Sequence, residues 1–502
     1  GLAKNGAHGL GHLARAAVCV AACCIGANPH DGFAGVGVFV LGLCKQGQQA
    51  SASSGLNQDA SFHGGCLRFL YQANHRRAVA FFQCGRHSTI TYMNRNVLIA
   101  GGGIAGMAAG FALARAGWQA TVFERAVEFS EVGAGVQLGP NVTRILQTWG
   151  LGERLKQVAA FPSGLHARNL ETGEVLATWP VKEALHTYGA PYVTIHRADL
   201  HGLLMQAAVA AGVQVQGDTQ VQRMTSTPDA AGVDVLVQGT LQSDTAACAV
   251  VADGVWSSLR QQLLGDGLPH FTGHIAYRAL VAQVELPVHL RSQDVSVWMG
   301  AHAHVVSYPV RGGDYLNVVC LAEGRLRDAD ANNLQALQTW NSQKSETQTL
   351  AELHHALRGA CPALTDLMAA CQMWRLWPLC GRPAMRNAHE HAQGRVALVG
   401  DAAHQVHPMA GQGVNLGFRD VVALLQILSA RHPAADIADY SLLRRYERAR
   451  KADVLGMQSL THGLYGLFDS HHPSIKAFRN WALRLPNGYP TIKRALMRNA
   501  LI

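Results

Sequence analysis

Charged and aromatic side chains are scarce in this chain of 502 residues, at 15% and 7% of the composition. Hydrophobic residues make up 48%, which excludes a highly charged disordered polymer. No segment after Met93 has the ~20 consecutive apolar residues of a transmembrane helix. The length exceeds the ~100–200 residues of a usual domain, so we expect two or three folding units.

Residues 1–92 contain neither glutamate nor methionine. They hold seven Lys and Arg against two Asp, and so carry +5 of the overall net charge of +9. Because the basic excess is concentrated there, no nucleic-acid partner is expected. Met93 is the first methionine and precedes a strand-like segment, so we expect translation to begin there and residues 1–92 to be an extension outside any domain. A secretory signal is the alternative.

The cysteines after Met93 lack the spacing of a disulfide framework or a zinc site, which favours a reduced, cytoplasmic protein. His404 and His407 form H-x-x-H, and His389 and His391 lie upstream. No third ligand follows at zinc-like spacing. We therefore expect no metal.

A dinucleotide fingerprint begins at Val97. Gly101, Gly103 and Gly106 form G-x-G-x-x-G between a strand and a helix predicted over 104–116. In this pattern the first glycine makes a tight turn, the second admits a pyrophosphate, and the third lets helix and strand pack. Glu124 ends the next strand, where its carboxylate can bind both hydroxyls of an adenosine ribose. The fingerprint alone leaves FAD and NAD(P) open.

Two later segments favour a flavin. In CAVVADGVWSSLR (248–260), an apolar strand leads to Asp253 and Gly254. In GRVALVGDAAH (394–404), a second strand ends at Asp401, and Gly411 and Gly413 follow at the start of a long helix. A carboxylate suits the hydroxyls of a polyol, and N–H groups at a helix start suit the negative charge of a reduced flavin.

Together, GGGIAG with Glu124, VADG and GDAAH…P…GQG resemble the fingerprints of the single-component FAD-dependent aromatic hydroxylases, which share the p-hydroxybenzoate hydroxylase fold. Residues 93–313 resemble salicylate and hydroxybenzoate hydroxylases, for example in FTGHIAYRALV (271–281). Residues 396–502 resemble ubiquinone-biosynthesis hydroxylases, for example in HPMAGQGVNLGFRDV (407–421). One residue departs from the family pattern: Val251 stands where a glycine is usual.

The resemblance implies residue roles. The FAD-binding residues would be Gly101, Gly103, Gly106, Glu124, Arg125, Gln137, Arg197, Asp253, Asp401, Gly411 and Gly413. Arg197 would neutralise the pyrophosphate, and Val132–Asn141 would be a loop under the flavin ring, unless it is an ordinary β–α connection. Pro408 would face the ring on the substrate side, and His407 would contact a phenol unless it is a helix-capping or core histidine. These two are the candidate catalytic residues.

The resemblance also implies an α/β fold in which a Rossmann-like FAD-binding domain carries an inserted mixed or antiparallel-sheet substrate domain and C-terminal helices. The predicted segments are 93–165, 195–265 and 390–430 for the FAD-binding domain, 166–194 and 266–389 for the substrate domain, and 431–502 for the helices.

The implied activity is that of a monooxygenase. It would use NAD(P)H and O₂ to hydroxylate an aromatic ring through a flavin hydroperoxide, on a salicylate- or hydroxybenzoate-type acid. The alternatives are a prenylated phenol of ubiquinone biosynthesis, a non-hydroxylating flavin oxidoreductase and an FAD-binding scaffold. A homodimer and a peripheral membrane contact stay open.

Overall fold

The computed structural model describes residues 61–62, 65–66, 95–129, 135–300, 303–326, 346–382, 391–406, 411–429 and 440–469. The chain separates into two units, Gly1–Met93 and Asn94–Ile502. In the first, the described residues form two short antiparallel strands, β1 (Ser61–Phe62) and β2 (Gly65–Cys66). The expectation that residues 1–92 form no domain otherwise lies outside the described residues.

The second unit is a mixed α/β structure. Its described strands are β3 (Asn96–Ala100), β4 (Gln119–Phe123), β5 (Gly135–Leu138), β6 (Leu165–Asn169), β7 (Val175–Trp179), β8 (Val193–His196), β9 (Gln214–Gln216), β10 (Thr219–Ser226), β11 (Ala231–Val237), β12 (Thr240–Ala246), β13 (Cys248–Val251), β14 (His270–Ala282), β15 (Val295–Met299), β16 (Ala303–Val310), β17 (Tyr315–Glu323), β18 (Arg375–Gly381), β19 (Ala392–Gln393) and β20 (Val396–Leu398). Its described α-helices are α1 (Ile104–Arg115), α2 (Pro140–Thr148), α3 (Gly152–Val158), α4 (Ala184–Tyr188), α5 (Arg197–Ala210), α6 (Ser258–Leu264), α7 (Glu346–Ala356), α8 (Pro362–Ala370), α9 (Gly413–Ser429) and α10 (Tyr440–Asp469).

A six-stranded sheet has the order β19-β20-β13-β3-β4-β9, with every pair parallel except β19–β20. Helix α1 follows β3 and buries nine of its twelve residues, because its own side chains are nearly all small or apolar. It ends at Arg115, one residue before the predicted end. Val251 pairs in register with Ala100 and Leu398 and is fully buried, so the missing glycine leaves the strand regular.

A seven-stranded sheet has the order β18-β14-β17-β16-β15-β6-β7 and is antiparallel except where β15 pairs with β6. One of its faces packs against α7 and α8 through side chains such as Tyr277, Val305, Leu353 and Leu364. Burying each Leu of this kind contributes about 1.5–3 kcal/mol. Since side chains alternate along a strand, the opposite face carries Arg278, His304 and Tyr308.

Two smaller sheets complete the described part. Strands β10, β11 and β12 form an antiparallel sheet, and β5 pairs with β8. The expected loop over Val132–Asn141 is wrong in part, since Gly135–Leu138 is a strand and Pro140 opens a helix. Backbone pairing of β5 with β8 outweighs the loop-like glycines of this segment.

Helix α10 packs on α9 and buries Leu443, Tyr446 and Val454. Glu447 and Arg450 on the same helix are also buried, which an amphipathic pattern does not predict. Among the described residues, none of the helices combines the length and apolar character needed to cross a membrane. The domain bounds drawn from the sequence stay a prediction.

Candidate cofactor and active site

The parallel strands bring distant segments together. Because β4, β3, β13 and β20 are neighbours whose carboxyl ends lie level, the residues that follow them meet at one edge of the sheet. These residues are Glu124 after β4, Gly101 after β3, Asp253 after β13 and Asp401 after β20. Ligands of open α/β sheets bind at this edge.

The three glycines of the turn after β3 each meet a different steric requirement. Gly101 has φ +101°, and a Cβ there would lie 2.4 Å from the Ala252 carbonyl oxygen. At Gly106 a Cβ would lie 1.9 Å from the carbonyl oxygen of Gly101, so helix and turn can touch only without a side chain. At Gly103 no heavy atom lies within 4 Å of an added Cβ. That open space adjoins the start of α1, where N–H groups attract an anion.

Glu124 is fixed by two backbone donors. The N–H of Gly102 donates to Oε2 at 2.8 Å, and the N–H of Ala126 donates to Oε1 at 3.0 Å. A carboxylate oxygen accepts more than one hydrogen bond. The side chain therefore keeps acceptor capacity for the hydroxyls of a ribose.

Asp253 has a buried Oδ1 that lacks a hydrogen-bond partner among the described residues. Burial raises the pKa of this carboxyl to about 6, although Ser257 and Arg382 act in the opposite direction. Buried polar atoms without a partner are rare in proteins. The orphaned oxygen therefore points to a donor that a ligand supplies.

Asp401 lies in a 3₁₀ turn, Gly400–Ala402, directly after β20. Gly400 has φ +63°, which favours glycine, and a Cβ there would press on Ala105 at 2.9 Å. The Asp401 Oδ1 is 3.6 Å from where a Cβ of Gly413 would stand, so Asp401 and the start of α9 are adjacent.

One cavity of about 1170 Å³, part of it open to solvent, connects these groups. Eight predicted residues line it: Gly101, Gly103, Glu124, Arg125, Arg197, Asp253, Asp401 and Gly413. Trp256, Thr219 and Ser258 also line the cavity and were missed, because no sequence pattern marks a side chain that only shapes a wall.

Three of the remaining predicted residues are described, and they do not line this cavity. Gly106 packs beneath the turn and does not line the cavity. Gln137 and Gly411 are neighbours, since a Cβ on Gly411 would lie 3.9 Å from Gln137 Cδ. His407 and Pro408 lie outside the described residues.

Gln137 belongs to a second group of polar side chains. The Tyr192 hydroxyl donates to Gln137 Oε1 at 2.5 Å. Gly135 on the same strand donates its N–H to Asn317 Oδ1 at 2.8 Å, and a Cβ there would clash with the Tyr308 ring. Strand β5 is thereby fixed against the sheet face that carries Arg278, His304 and Tyr308, which we call the open face because it is not the face that packs on α7 and α8.

Arg278 lies on that face, with its guanidinium 5.8 Å from the centre of the Trp377 ring. Burial and the charge of Arg197 lower its pKa to about 10, so it stays charged at neutral pH. The Trp377 ring is 6.4 Å from that of Trp256 in the cavity wall. This ring pair joins the sheet face to the cavity.

Of the four histidines named for a metal site, the structure describes His391 and His404. His404 is fully buried, and its Nε2 is 2.6 Å from Asp420 Oδ2. The His391 ring lies 5.8 Å from the His404 ring. In the part of the chain that the structure describes, no three His, Cys, Asp or Glu side chains are grouped as metal ligands.

The cavity fits FAD on several counts. The open space at Gly103 and the N–H groups of α1 suit a pyrophosphate, and Arg125 and Arg197 supply positive charge. Glu124 and Asp401 suit the hydroxyls of a ribose and of a polyol chain. The orphaned Asp253 oxygen suits a donor on the ligand.

Residues 94–458 match the family model described as an FAD binding domain, and the chain belongs to this family of flavoproteins. It is 33% identical over 369 residues to 3-hydroxybenzoate 6-hydroxylase 1 of Aquipseudomonas alcaligenes. The matched region covers 73% of this chain and 88% of that protein. Its fold is similar to HpxO of Klebsiella pneumoniae complexed with FAD and uric acid, with a TM-score of 0.68 at 20% identity, covering 81% and 96% of the two chains. The fold is also similar to that of a salicylate hydroxylase substrate complex, with a TM-score of 0.61 at 24% identity. That match covers 81% of this chain and 98% of the other chain.

Four predictions are thereby confirmed: the family, the α/β fold class with its FAD-binding domain, FAD as cofactor with NAD(P)H as co-substrate, and the class of enzyme, an FAD-dependent aromatic monooxygenase. The roles of individual site residues and the resemblance to ubiquinone-biosynthesis hydroxylases stay predictions.

Proposed function

We propose that this protein hydroxylates a small aromatic acid of the hydroxybenzoate type, using FAD, NAD(P)H and O₂. The observation that carries the substrate class is Arg278, a charged side chain on the open sheet face next to the cavity. No carboxylate pairs with it among the described residues, and its neighbours there are Arg197, Tyr308 and the Trp377 ring. An aromatic carboxylate would supply the missing negative charge, and its ring would lie among apolar and aromatic side chains.

Several residues would hold FAD. Glu124 would bind the adenosine ribose, with Arg125 beside it. The turn Gly101–Gly106 and Arg197 would bind the pyrophosphate, and Asp401 the ribityl chain. Backbone N–H groups at Gly411 and Gly413, together with Gln137, would contact the flavin ring, and Asp253 would meet both the flavin and the nicotinamide. When bound, FAD supplies the electron transfer and the activation of O₂.

The other residues bind and orient the substrate. Burial raises the pKa of Tyr308 well above its usual range, so its hydroxyl stays protonated and can donate to a substrate oxygen. Burial also raises the pKa of Tyr192, so its hydroxyl stays protonated and donates to Gln137. His407 would contact the phenol and Pro408 would face the ring, as the family resemblance implies.

The experiment compares substrates and one variant. Purified holoenzyme is given NAD(P)H and O₂ with salicylate, 3-hydroxybenzoate, their methyl esters and a prenylphenol, and the products are identified by mass spectrometry. We expect hydroxylated product from at least one acid and at least tenfold lower kcat/KM for its ester. Arg278→Met should lower kcat/KM for the acid about 100-fold and that for the ester about twofold, because only the acid carries the partner charge.

Arg375→Met is the matched control, since Arg375 lies opposite Arg278 on β18 but is exposed. It should change kcat/KM less than threefold. Turnover of the prenylphenol without turnover of either acid would contradict the proposal and favour the ubiquinone-type alternative.

A cytoplasmic location is proposed from five cysteines that are buried and free of disulfides: Cys248, Cys320, Cys361, Cys371 and Cys380. A homodimer and a peripheral membrane contact stay predictions.

A further inference from the structure

A completely buried carboxylate contacts the Gly400–Ala402 turn without lining the cavity. Asp420 on α9 has no solvent exposure and accepts three hydrogen bonds. The Gly400 N–H donates to Oδ2 at 2.8 Å, His404 Nε2 lies 2.6 Å from the same oxygen, and Arg450 Nε donates to Oδ1 at 2.7 Å. Burial alone would raise the pKa of Asp420, but His404 and Arg450 hold it at about 2.

Arg450 links this carboxylate to the C-terminal helix. It lies on α10, is almost fully buried, and also bonds Asp453 one turn along the same helix. Asp453 in turn bonds Arg419, the residue before Asp420. Helices α9 and α10 are thus joined by two linked ion pairs around Asp420.

The turn itself is held from both sides. Arg260 on α6 donates to the carbonyl oxygens of Ala402 and Ala403, while Asp420 receives the N–H of Gly400. Between these contacts stands Asp401, the cavity residue assigned to the ribityl chain. The backbone around Asp401 is therefore fixed by side chains that never reach the cavity.

Stability alone does not account for such a cluster. A buried ion pair loses hydration, and well-packed apolar residues of similar volume are often as stabilising. What apolar residues cannot do is accept the Gly400 N–H and the His404 N–H in fixed directions. Fixed direction matters at a binding group, because misplacement by ~1 Å is costly.

We propose that Asp420 is a positioning residue for FAD, which sets Asp401 through Gly400 and His404, and that Arg450 makes the C-terminal helix part of the cofactor site. The inference rests on the proposed role of Asp401 in holding FAD.

The test measures FAD affinity and fold stability separately in the full chain. FAD is removed, the apoprotein is titrated with FAD while flavin fluorescence is followed, and its thermal midpoint is recorded by circular dichroism. Asp420→Asn should raise the Kd for FAD at least tenfold, because an amide cannot accept from His404, Arg450 and Gly400 together.

Glu447→Gln is the matched control. Glu447 is a buried carboxylate on α10 that accepts a hydrogen bond from the backbone N–H of His391 at 3.2 Å and pairs with Arg444. It has no described contact with the Gly400–Ala402 turn. Its Kd for FAD should stay within twofold of the wild type. Equal weakening in both variants, or an unchanged Kd in Asp420→Asn, would overturn the inference.

A second pair serves if Asp420→Asn does not fold. His404→Ala removes the donor to Asp420 and should raise the Kd for FAD several-fold. His404→Gln supplies an amide N–H in its place, so its Kd for FAD should stay within about twofold of the wild type. Equal Kd values for these two variants would count against the inference. A wild-type apoprotein that binds no FAD would instead contradict the proposed function.

Discussion

The edge of the six-stranded sheet that carries Gly101, Glu124, Asp253 and Asp401, here called the cofactor edge, differs from the open face of the seven-stranded sheet in the chemical groups that it presents. At the cofactor edge, the contacts come from backbone N–H groups, glycines and carboxylates that directly follow strands. On the open face they come from side chains of separate strands, such as Arg278 and Tyr308. At the first site an added Cβ on Gly101 or Gly106 would collide with backbone, whereas the second site changes with each side chain. Substitutions at the turn are therefore expected to act through the backbone, whereas those on the sheet face act through single side chains.

The largest expected effect comes from a substitution at the cofactor edge. Gly106→Ala places a methyl group 1.9 Å from the Gly101 carbonyl oxygen, which is backbone and cannot move aside. We expect a loss of at least about 3 kcal/mol in the free energy of unfolding, and little folded holoprotein. Urea denaturation and the flavin absorbance of the purified protein measure both quantities.

Gly110→Ala is the control on the same helix. Its methyl group would lie 3.3 Å from side-chain atoms of Val122 and Val213, and alanine favours the helix. We expect a change below about 1 kcal/mol. If both variants behaved alike, the close approach at Gly106 would not be what limits this turn.

The next effect concerns the open face. Burial lowers the pKa of His304 to about 4, and neither ring nitrogen has a hydrogen-bond partner among the described residues. The unfolded chain takes up this proton near pH 6.5, whereas the folded protein resists it until about pH 4, so acidification through this window favours unfolding. The loss between these values reaches about 3 kcal/mol.

His304→Leu should remove that part of the pH dependence while FAD affinity stays within twofold. Urea denaturation at pH 7 and pH 4.5 in both proteins gives the comparison. The pKa of His391 is also lowered by burial, and its contribution cancels in the difference between the two proteins. Parallel stability curves in the two proteins would show that His304 does not titrate in this way.

The smallest effect separates binding from folding at the cofactor edge. Gly103 has φ −70°, and an added Cβ meets no atom within 4 Å. Gly103→Ala should leave apoprotein stability within about 0.5 kcal/mol and weaken FAD about tenfold, because the methyl group occupies the space of the pyrophosphate. Fluorescence titration and urea denaturation measure the two values. Unchanged FAD affinity would place the pyrophosphate away from Gly103.

The sequence predicted the cofactor edge well because its signals are local. The strand before Gly101 and the strand from Gln119 to Phe123 lie where the pattern indicated, and the helix differs by one residue. The sequence predicts a loop at Gln137, which lies in a strand instead, since β5 pairs with β8, more than fifty residues away. Arg278 lies within FTGHIAYRALV (271–281), but no local signal in the sequence shows that its side of the strand is the open face.

The sequence by itself determined the strand–turn–helix units and the glycines at their turns, because backbone geometry over a few residues allows little else there. Only the tertiary structure decided which charges are buried together. Asp420 and Arg450 are thirty positions apart on two helices, and each resembles a surface residue in its own segment. They meet because α10 packs on α9, and only in that packing does the charge of each one offset the cost of burying the other.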